Sequence, residues 1–301
     1  MGHIITDLKE AFRRGNVYIQ LIFINVGVFV ITTLIGILLQ LFNRSAAGIF
    51  ELLALPASFT RFAWQPWSIF TYMFMHAGFL HILFNMLWLY WFGALFLYFF
   101  SGKHLRGLYI VGGICGGLLY MISYNVFPYF RPMTAYSTMV GASASVLAIV
   151  VATAYREPNY PVRLLFFGNV RLKYLALIVV LTDLLFITSS NAGGHIAHLG
   201  GALAGLWFAA SLNKGKDITS WVNKALDAIA ALFSAKTWKR KPKMKVHYGN
   251  NTRQNDYDYN ARKKAQSDEI DRILDKLKKS GYESLTTEEK RACLTQAKDS
   301  T

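Results

Sequence analysis

Residues 194–212 read GHIAHLGGALAGLWFAASL, and this stretch decides the fold class. It contains no Asp, Glu, Lys or Arg, and its nineteen residues are close to the roughly 20 that a helix needs to cross a lipid bilayer. Ala197, Gly201 and Gly205 recur every fourth residue, so they share one face of such a helix. A stripe of small residues lets a second helix approach closely in a membrane. The stretch therefore predicts a transmembrane helix packed tightly against a neighbour.

Five further segments are apolar enough to cross a membrane. They lie at roughly 17–42, 69–99, 106–127, 137–155 and 168–188. The whole chain is 53% hydrophobic and only 16% charged, whereas soluble domains carry about 25% charged residues. These features predict an all-α membrane protein built as a bundle of six transmembrane helices. The first loop, about 43–68, is too interrupted by proline and charge to cross, so we expect it in or on the membrane surface.

Composition divides the chain into a polar N-terminal segment at 1–16, a membrane domain at 17–212 and a basic tail at 213–301. Of the 32 Lys and Arg residues, 20 lie from Lys214 onward. The net charge of +15 is compatible with nucleic-acid binding. A basic tail beside a membrane domain has a simpler explanation, because anionic headgroups attract such segments. We therefore expect contact with membrane lipids and no nucleic acid.

The charges of the predicted loops indicate the orientation. Nine basic residues fall on the side of the N-terminus: Lys9, Arg13, Arg14, Lys103, Arg106, Arg156, Arg163, Arg171 and Lys173. Three fall on the opposite side: Arg44, Arg61 and Arg131. Because basic residues accumulate in cytoplasmic loops, this imbalance predicts that both termini are cytoplasmic. Two termini on one side require an even number of crossings, which six satisfies.

The tail is predicted to be partly helical and partly disordered. Residues 218–233 predict an amphipathic helix at the membrane interface. Its apolar residues are Ile218, Trp221, Val222, Ala225, Ile229, Leu232 and Phe233. The basic run KRKPKMK at 239–245 would favour anionic lipid, and the polar stretch 246–266 is predicted to be disordered.

The end of the tail predicts a small helical hairpin or a pair of helices that binds a cytoplasmic partner. One helix would place four apolar residues on a single face, namely Ile270, Ile273, Leu274 and Leu277. Gly281 is its predicted C-cap. Thr286 and Glu289 have the spacing of a capping box at the start of a second helix.

Polar residues inside apolar helices often mark function, and His81 and Asn85 are the first such pair. At i and i+4 they share a helix face, and both side chains can donate hydrogen bonds while neutral. They could hold an oxyanion during catalysis, or they could join neighbouring helices by hydrogen bonds. His76, near the start of the same segment, is expected to be structural.

The run VGASASVLAI at 140–149 contains two serines among small residues. Gly141 leaves room for another backbone to approach, so the run could be a helix-packing surface. Ser143 or Ser145 could instead be a nucleophile, which requires a base beside it.

The sixth segment carries His195 and His198, and the fifth carries the acid Asp183. Two histidines could form part of a metal site, but the sequence places no carboxylate or cysteine next to them, so no metal is expected. Asp183 could relay protons or couple an ion. We favour a neutral, hydrogen-bonded Asp183 near a helix end.

Taken together, these groups supply a nucleophile, a base and oxyanion donors on helices that begin at the same membrane face. Ser143 would lie six residues into the fourth helix, roughly 9 Å deep at about 1.5 Å per residue. His198 would lie about four residues into the sixth helix. The two depths agree to within about one turn, which favours catalysis over packing.

On these residues the chain resembles the rhomboid intramembrane serine proteases, and in particular bacterial ones that carry a C-terminal extension. The resemblance covers about 15–212 and consists of HxxxN at His81 and Asn85, GxSx at Gly141 and Ser143, and AHxGG at 197–201. The order of these motifs and the six-helix layout also agree.

The resemblance implies a Ser–His dyad without a third acid, in which Ser143 is the nucleophile and His198 the base. The backbone N–H of Ser143 would bind the oxyanion together with His81 and Asn85. The resemblance also selects His198 over His195 and Ser143 over Ser145, choices that spacing alone leaves open. It implies that Gly141 and Gly201 are structural near the site, as is His76, which would lie near the active-site water.

Two positions depart from the pattern of many bacterial rhomboids. Their first loop often carries a Trp–Arg pair, whereas this chain has Trp67 and Ser68, so the arginine contacts must be absent or come from another residue. They often have a tyrosine one turn after the nucleophile that stacks on the catalytic histidine. Here that position is Leu147, and the orientation of His198 would depend on other neighbours.

The resemblance implies a multi-pass protein of the bacterial inner membrane that cleaves single-spanning membrane proteins near the extracytoplasmic face without a cofactor. A polar cavity would admit water to Ser143, and the fifth helix would gate substrate entry. Two alternatives stay open. One is an inactive rhomboid-like protein that binds membrane proteins, and the other is a transporter that uses Asp183 and the histidines.

Overall fold

The computed structural model of the chain describes Glu10, Phe12 and residues 15–164, 168–232 and 252–290. Most of the N-terminal segment therefore lies outside the described residues, as do Phe233, the basic run 239–245 and residues 246–251. The chain divides into two compact units, Met1–Thr237 and Trp238–Thr301.

Eight helices of more than ten residues form the framework of the described chain. In chain order they are α1 (Val17–Leu41), α2 (Phe79–Phe99), α3 (Gly102–Val126), α4 (Ser143–Arg156), α5 (Leu172–Leu185), α6 (Ala192–Asn213), α7 (Ser220–Leu232) and α8 (Thr252–Ser280). Within the described residues, α1, α2, α3 and α6 are long and apolar enough to cross a membrane. Helices α4 and α5 have fourteen residues each, about 21 Å at about 1.5 Å per residue. Six helices thus occur where six crossings are predicted, but the count of six crossings is not confirmed.

Helix α4 begins at Ser143 and not near 137, so the predicted position of Ser143 six residues inside a helix is wrong. Gly141 has φ +136°, a left-handed conformation that ends any helix coming from upstream. The chain before it is extended, and strand β2 (Thr138–Met139) pairs antiparallel with strand β1 (Leu55–Pro56) of the first loop. Eleven of the fourteen residues of α4 are buried, so this short helix lies inside the bundle.

The first loop folds into three short helices at Ala47–Leu53, Phe59–Trp64 and Ser68–Thr71, followed by a single turn at Tyr72–Phe74. Consequently α2 begins at Phe79, ten residues later than the sequence predicts. The loop is tied to the segment before Ser143, because Ala57 N donates to Ser137 O (3.0 Å) and Gly141 N donates to Tyr72 O (2.9 Å).

Helices α3, α4 and α6 form the tightly packed centre of the membrane domain. A Cβ added at Gly201 or Gly205 of α6 would collide with the backbone carbonyls of Ala144 and Ala148 on α4. On the other side of α6, a Cβ at Gly200 would lie 2.7 Å from Cys115 O of α3. The close approach predicted for this stripe of small residues is therefore confirmed.

Helix α5 is shorter than its predicted range because 168–171 is a strand. Strand β4 (Gly168–Arg171) pairs antiparallel with β3 (Pro161–Leu164), a hairpin that the sequence analysis missed. Most of the large apolar side chains of α5 are exposed, including Leu177, Ile178, Leu181, Leu184 and Leu185. Its buried residues include Asp183, which faces α6.

Helix α7 packs against α3, so the compact membrane unit extends beyond residue 212. Arg106 of α3 donates to Asn223 Oδ1 and to Asp227 Oδ1, both at 2.6 Å. Val222 is buried with Val111 and Ala204. Trp221, Ile229 and Leu232 stay exposed, as expected for an amphipathic helix at an interface.

The second unit contains α8, which begins at Thr252, so predicted disorder is wrong for 252–266. The predicted end of the helix is confirmed, because α8 stops at Ser280 and Gly281 has φ +74°. The capping box is confirmed too. Thr286 N donates to Glu289 Oε2 (2.8 Å), and Glu289 N donates to Thr286 Oγ1 (3.3 Å).

Candidate active site

A cavity of about 660 Å³ lies among α2, α4, α5 and α6. Four of the predicted site residues line it: His81, Asn85, Ser143 and His198. Its other walls are mostly apolar, with Leu147 among them, so the cavity is less polar than the sequence analysis expected. Ser143 and His198 line the same cavity, and within the described residues Ser143 Oγ makes no hydrogen bond.

The two serines of the small-residue run have different surroundings. Ser143 is the first residue of α4, where the backbone N–H has no acceptor within the helix. Anions are favoured there, because the helix dipole places partial positive charge at this end. Ser145 is fully buried, and a Cβ added at Gly113 of α3 would lie 2.8 Å from its Oγ. Ser143 is therefore the serine that a substrate in the cavity could reach.

His81 and Asn85 present donors toward the turn before Ser143. Ala77 N donates to His81 Nδ1 (3.4 Å), so a neutral His81 carries its proton on Nε2. A Cβ at Gly141 would lie 3.0 Å from His81 Nε2 and 3.5 Å from Ser143 Oγ. Glycine is thus required where the imidazole approaches the backbone. Asn85 Nδ2 uses one hydrogen for His81 O (2.8 Å), which leaves the other for the cavity.

Asp183 joins both histidines of α6, an arrangement that the sequence analysis did not predict. Its Oδ1 lies 2.8 Å from His198 Nδ1 and 2.8 Å from His195 Nδ1. The carboxylate side chain is only 5% exposed. Asp183 is hydrogen-bonded near a helix end, as expected. Its partners are two imidazoles, which can donate to an ionised carboxylate, so the neutral form favoured from the sequence is not required. His198 therefore has an acidic neighbour, which the resemblance to a two-residue dyad did not imply.

Asp183, His195 and His198 must also be compared with the expectation that no metal binds. That expectation used the absence of a nearby carboxylate, and the structure places one between the two histidines. Ligand atoms of Asp183, His195 and His198 lie within 4.8 Å of one another, close enough to hold a metal ion. Three protein ligands with an open position are typical of catalytic zinc.

The remaining predicted positions surround this site. His76 is 4% exposed and its ring packs edge-on against His81, with 5.2 Å between the ring centroids. Ser68 is fully buried, and within the described residues its hydroxyl makes no hydrogen bond. Trp67 Nε1 donates to Leu52 O (2.9 Å), and Arg61 contacts Glu51 (3.3 Å) in the same loop. Arg61 is thus an arginine with contacts inside the first loop, but nothing in the structure shows that it replaces the contacts of the missing Trp–Arg pair.

Comparison with known proteins assigns the family. A family model of the rhomboid domain matches residues 63–214, which is half of the chain and contains the four predicted site residues that line the cavity. The chain belongs to the rhomboid family. With the apolar helices described above, this membership makes it an integral membrane protein.

One curated relative of this rhomboid is "RHOMBOID-like protein 12, mitochondrial" from Arabidopsis thaliana. The two sequences are 29% identical over 158 residues, which is 50% of this chain and 47% of the relative. The chain thus spans about half the length of the relative that it matches. A second family model, DUF6576, matches residues 254–294 and describes a family of unknown function. It covers the capped helices of the second unit.

Proposed function

We propose that this rhomboid is an intramembrane serine endopeptidase. The observation that carries the proposal is the shared cavity, which brings together a serine at a helix start, an imidazole and two side-chain donors. These are the three functions that acyl transfer requires: a nucleophile, a base and oxyanion donors. They come from three different helices and line one cavity, although His198 follows His81 by 117 positions in the sequence.

In the proposed reaction, His198 Nε2 takes the proton of Ser143 Oγ as the oxygen attacks the substrate carbonyl carbon. The carbonyl oxygen becomes an oxyanion, which accepts hydrogen bonds from Ser143 N, His81 Nε2 and Asn85 Nδ2. His198 then protonates the leaving amine as the peptide bond breaks. Water from the cavity hydrolyses the acyl-enzyme with His198 again acting as base. Ser143 and His198 are not hydrogen-bonded to each other at rest, and catalytic hydrogen bonds often form only once substrate binds.

The proposed substrate is a single-spanning membrane protein, cleaved near the extracytoplasmic face. The excess of basic residues in the loops on the N-terminal side supports cytoplasmic termini and hence this sidedness. A helical substrate must unwind before its peptide bond reaches Ser143, so a segment with Gly or Pro and small residues at the cut suits the cavity best. The exposed apolar face of α5 is the proposed route of entry.

The direct test is proteolysis in reconstituted liposomes with a single-spanning reporter that contains such a segment. We expect the wild-type chain to release a fragment, Ser143→Ala to release none, and Ser145→Ala to retain cleavage. Equal cleavage by Ser143→Ala would defeat the mechanism.

The alternative is an inactive rhomboid that binds membrane proteins, which the absence of a Ser143–His198 hydrogen bond favours. In that case no reporter would be cut, while co-purification of the reporter would persist in the Ser143→Ala protein. The two functions therefore give opposite results in the same liposomes.

A further inference from the structure

We infer that Asp183 is a positioning residue that holds His198 with its proton on Nδ1 and its free electron pair on Nε2, facing Ser143. The inference rests on the proposed function and extends the two-residue mechanism that the resemblance implies. It is carried by two hydrogen bonds of 2.8 Å that converge on one oxygen of a buried carboxylate.

The tautomer follows from the chemistry of the three groups. An ionised carboxylate only accepts hydrogen bonds, so each Nδ1 that contacts Asp183 Oδ1 must carry the hydrogen. A neutral imidazole has one N–H, and Nε2 of His198 is then the base. Without an acceptor at Nδ1 the proton could equally sit on Nε2, where it would block transfer from Ser143. Asp183 thus selects the form of His198 that can act.

The surroundings of His198 explain why such a group is needed. Leu147 lines the same cavity one turn after Ser143, and an alkyl side chain can offer an imidazole no directional contact. The hydrogen bond to the Asp183 carboxylate orients the imidazole ring of His198. The negative charge of the carboxylate also compensates the positive charge that His198 acquires during the reaction. Because Asp183 is only 5% exposed, little solvent screens this interaction.

His195 completes the arrangement by donating to the same oxygen from one turn earlier on α6. It is not among the residues that line the cavity. Its hydrogen bond limits rotation of the Asp183 side chain and so keeps Oδ1 on His198. We therefore expect His195 to influence the rate much less than Asp183 does.

The spacing of the three groups favours hydrogen bonds over a bound metal ion. Tetrahedral zinc with ligand bonds of about 2.0–2.1 Å separates neighbouring ligand atoms by about 3.3 Å. Both nitrogen–oxygen separations are 2.8 Å, which is a usual length for a hydrogen bond between a ring N–H and a carboxylate. A metal would have to push the histidines away from Asp183.

The first experiment measures how fast a fluorophosphonate labels Ser143 in the full chain in detergent, separating the inactivation constant kinact from the binding constant KI. Asp183→Asn should lower kinact on the order of 10²–10⁴-fold with KI unchanged within about threefold. His195→Gln, which keeps an N–H donor, should stay within about fivefold of wild type. Thr182→Val is the matched control, because among the residues that the structure describes the hydroxyl of Thr182 bonds only Ile178 O of its own helix. It should label like wild type.

A kinact for Asp183→Asn within threefold of wild type would overturn the inference. Equal losses in Asp183→Asn and His195→Gln, with wild-type labelling abolished by a zinc chelator, would also overturn it in favour of a metal site.

The second experiment keeps the inference testable if wild type is not labelled and the proposed function fails. Solid-state NMR of the [15N]histidine-labelled chain in lipid should show His198 protonated on Nδ1, assigned by its loss in His198→Gln. This signal should change in Asp183→Asn. An Nε2-protonated His198 in wild type would contradict the inference whether or not the protein is a protease.

Discussion

Replacing Gly201 with alanine tests whether close packing of α4 on α6 sets the geometry of the site. The added Cβ would lie 2.8 Å from the carbonyl carbon of Ala144 and closer still to its oxygen. Ordinary van der Waals contact begins at about 3.4 Å, so the helices must separate by at least about 0.6 Å. Backbone atoms cannot rotate away as a flexible side chain would. Ala144 directly follows Ser143, so the shift moves the nucleophile.

We expect Gly201→Ala to be destabilising by about 1–3 kcal/mol, the usual cost of overpacking a core. A displacement near 1 Å in a catalytic constellation costs about 10²-fold in rate, so labelling of Ser143 should fall by about that factor. Thermal unfolding in detergent, followed by tryptophan fluorescence, gives the stability, and fluorophosphonate labelling gives the rate. Gly27→Ala on α1 is the control, because its Cβ would meet nothing within 4 Å. If Gly201→Ala had the stability and labelling rate of Gly27→Ala, close packing of α4 on α6 would not set the geometry of the site.

Three further predictions concern other parts of the molecule. His81→Ala should lower reporter cleavage by about 10²–10³-fold, because it removes one proposed oxyanion donor. The unfolding temperature should fall by no more than a few degrees. Unchanged cleavage would show that His81 has no part in the mechanism. Arg106→Ala removes the two hydrogen bonds that Arg106 donates to α7, and limited proteolysis should then cut near residues 214–220 faster than in wild type. An unchanged cutting rate would show that the remaining contacts, which include the hydrogen bond from Asn223 Nδ2 to Lys103 O (3.0 Å), hold α7. The hydrogen bond from Lys276, followed by that from the Thr286 backbone, lowers the pKa of Glu289 from 4.5 to about 2. The contribution of Glu289 to the stability of the second unit is therefore complete above pH 4.5 and is lost as the pH falls toward 2. Hydrogen exchange of 282–290, corrected for intrinsic rates, should rise over that range in wild type but not in Glu289→Gln.

Much of the fold could be predicted because a membrane helix is indicated by the length of an apolar segment in the local sequence. Apolar length located the four helices that could cross a membrane and the shorter helices α4 and α5, and the stripe at 197–205 predicted that α6 packs closely on a neighbour, which the structure shows to be α4. The starts of α2 and α4 could not be read from hydropathy, since apolar residues also fill the irregular segments before them. A positive φ at Gly141 ends the helical path, and pairing of β1 with β2 replaces it. Neither feature alters the apolar pattern of the sequence.

Four side chains that line the cavity could be picked out from the sequence, but the hydrogen bonds among the polar groups could not. HxxxN, GxSx and AHxGG named the side chains that share the cavity. The role of Asp183 was missed because it lies on another helix, fifteen residues before His198, and no spacing rule joins them. One signal was present: an acid inside the apolar fifth segment requires a buried partner, and the histidines of the sixth segment were the nearest candidates. The hairpin β3–β4 carried no such signal, because its strands have only four residues each.

The most direct test of the central claim is to map the residue that a fluorophosphonate modifies in the folded, full-length protein. Peptide mass spectrometry of wild type, Ser143→Ala, Ser145→Ala and His198→Ala would give the result. If Ser143 is the nucleophile and His198 its base, we expect one adduct, on Ser143, that persists in Ser145→Ala and disappears in the other two variants. An adduct on Ser145, labelling that survives His198→Ala at the wild-type rate, or no adduct on folded wild type would contradict it.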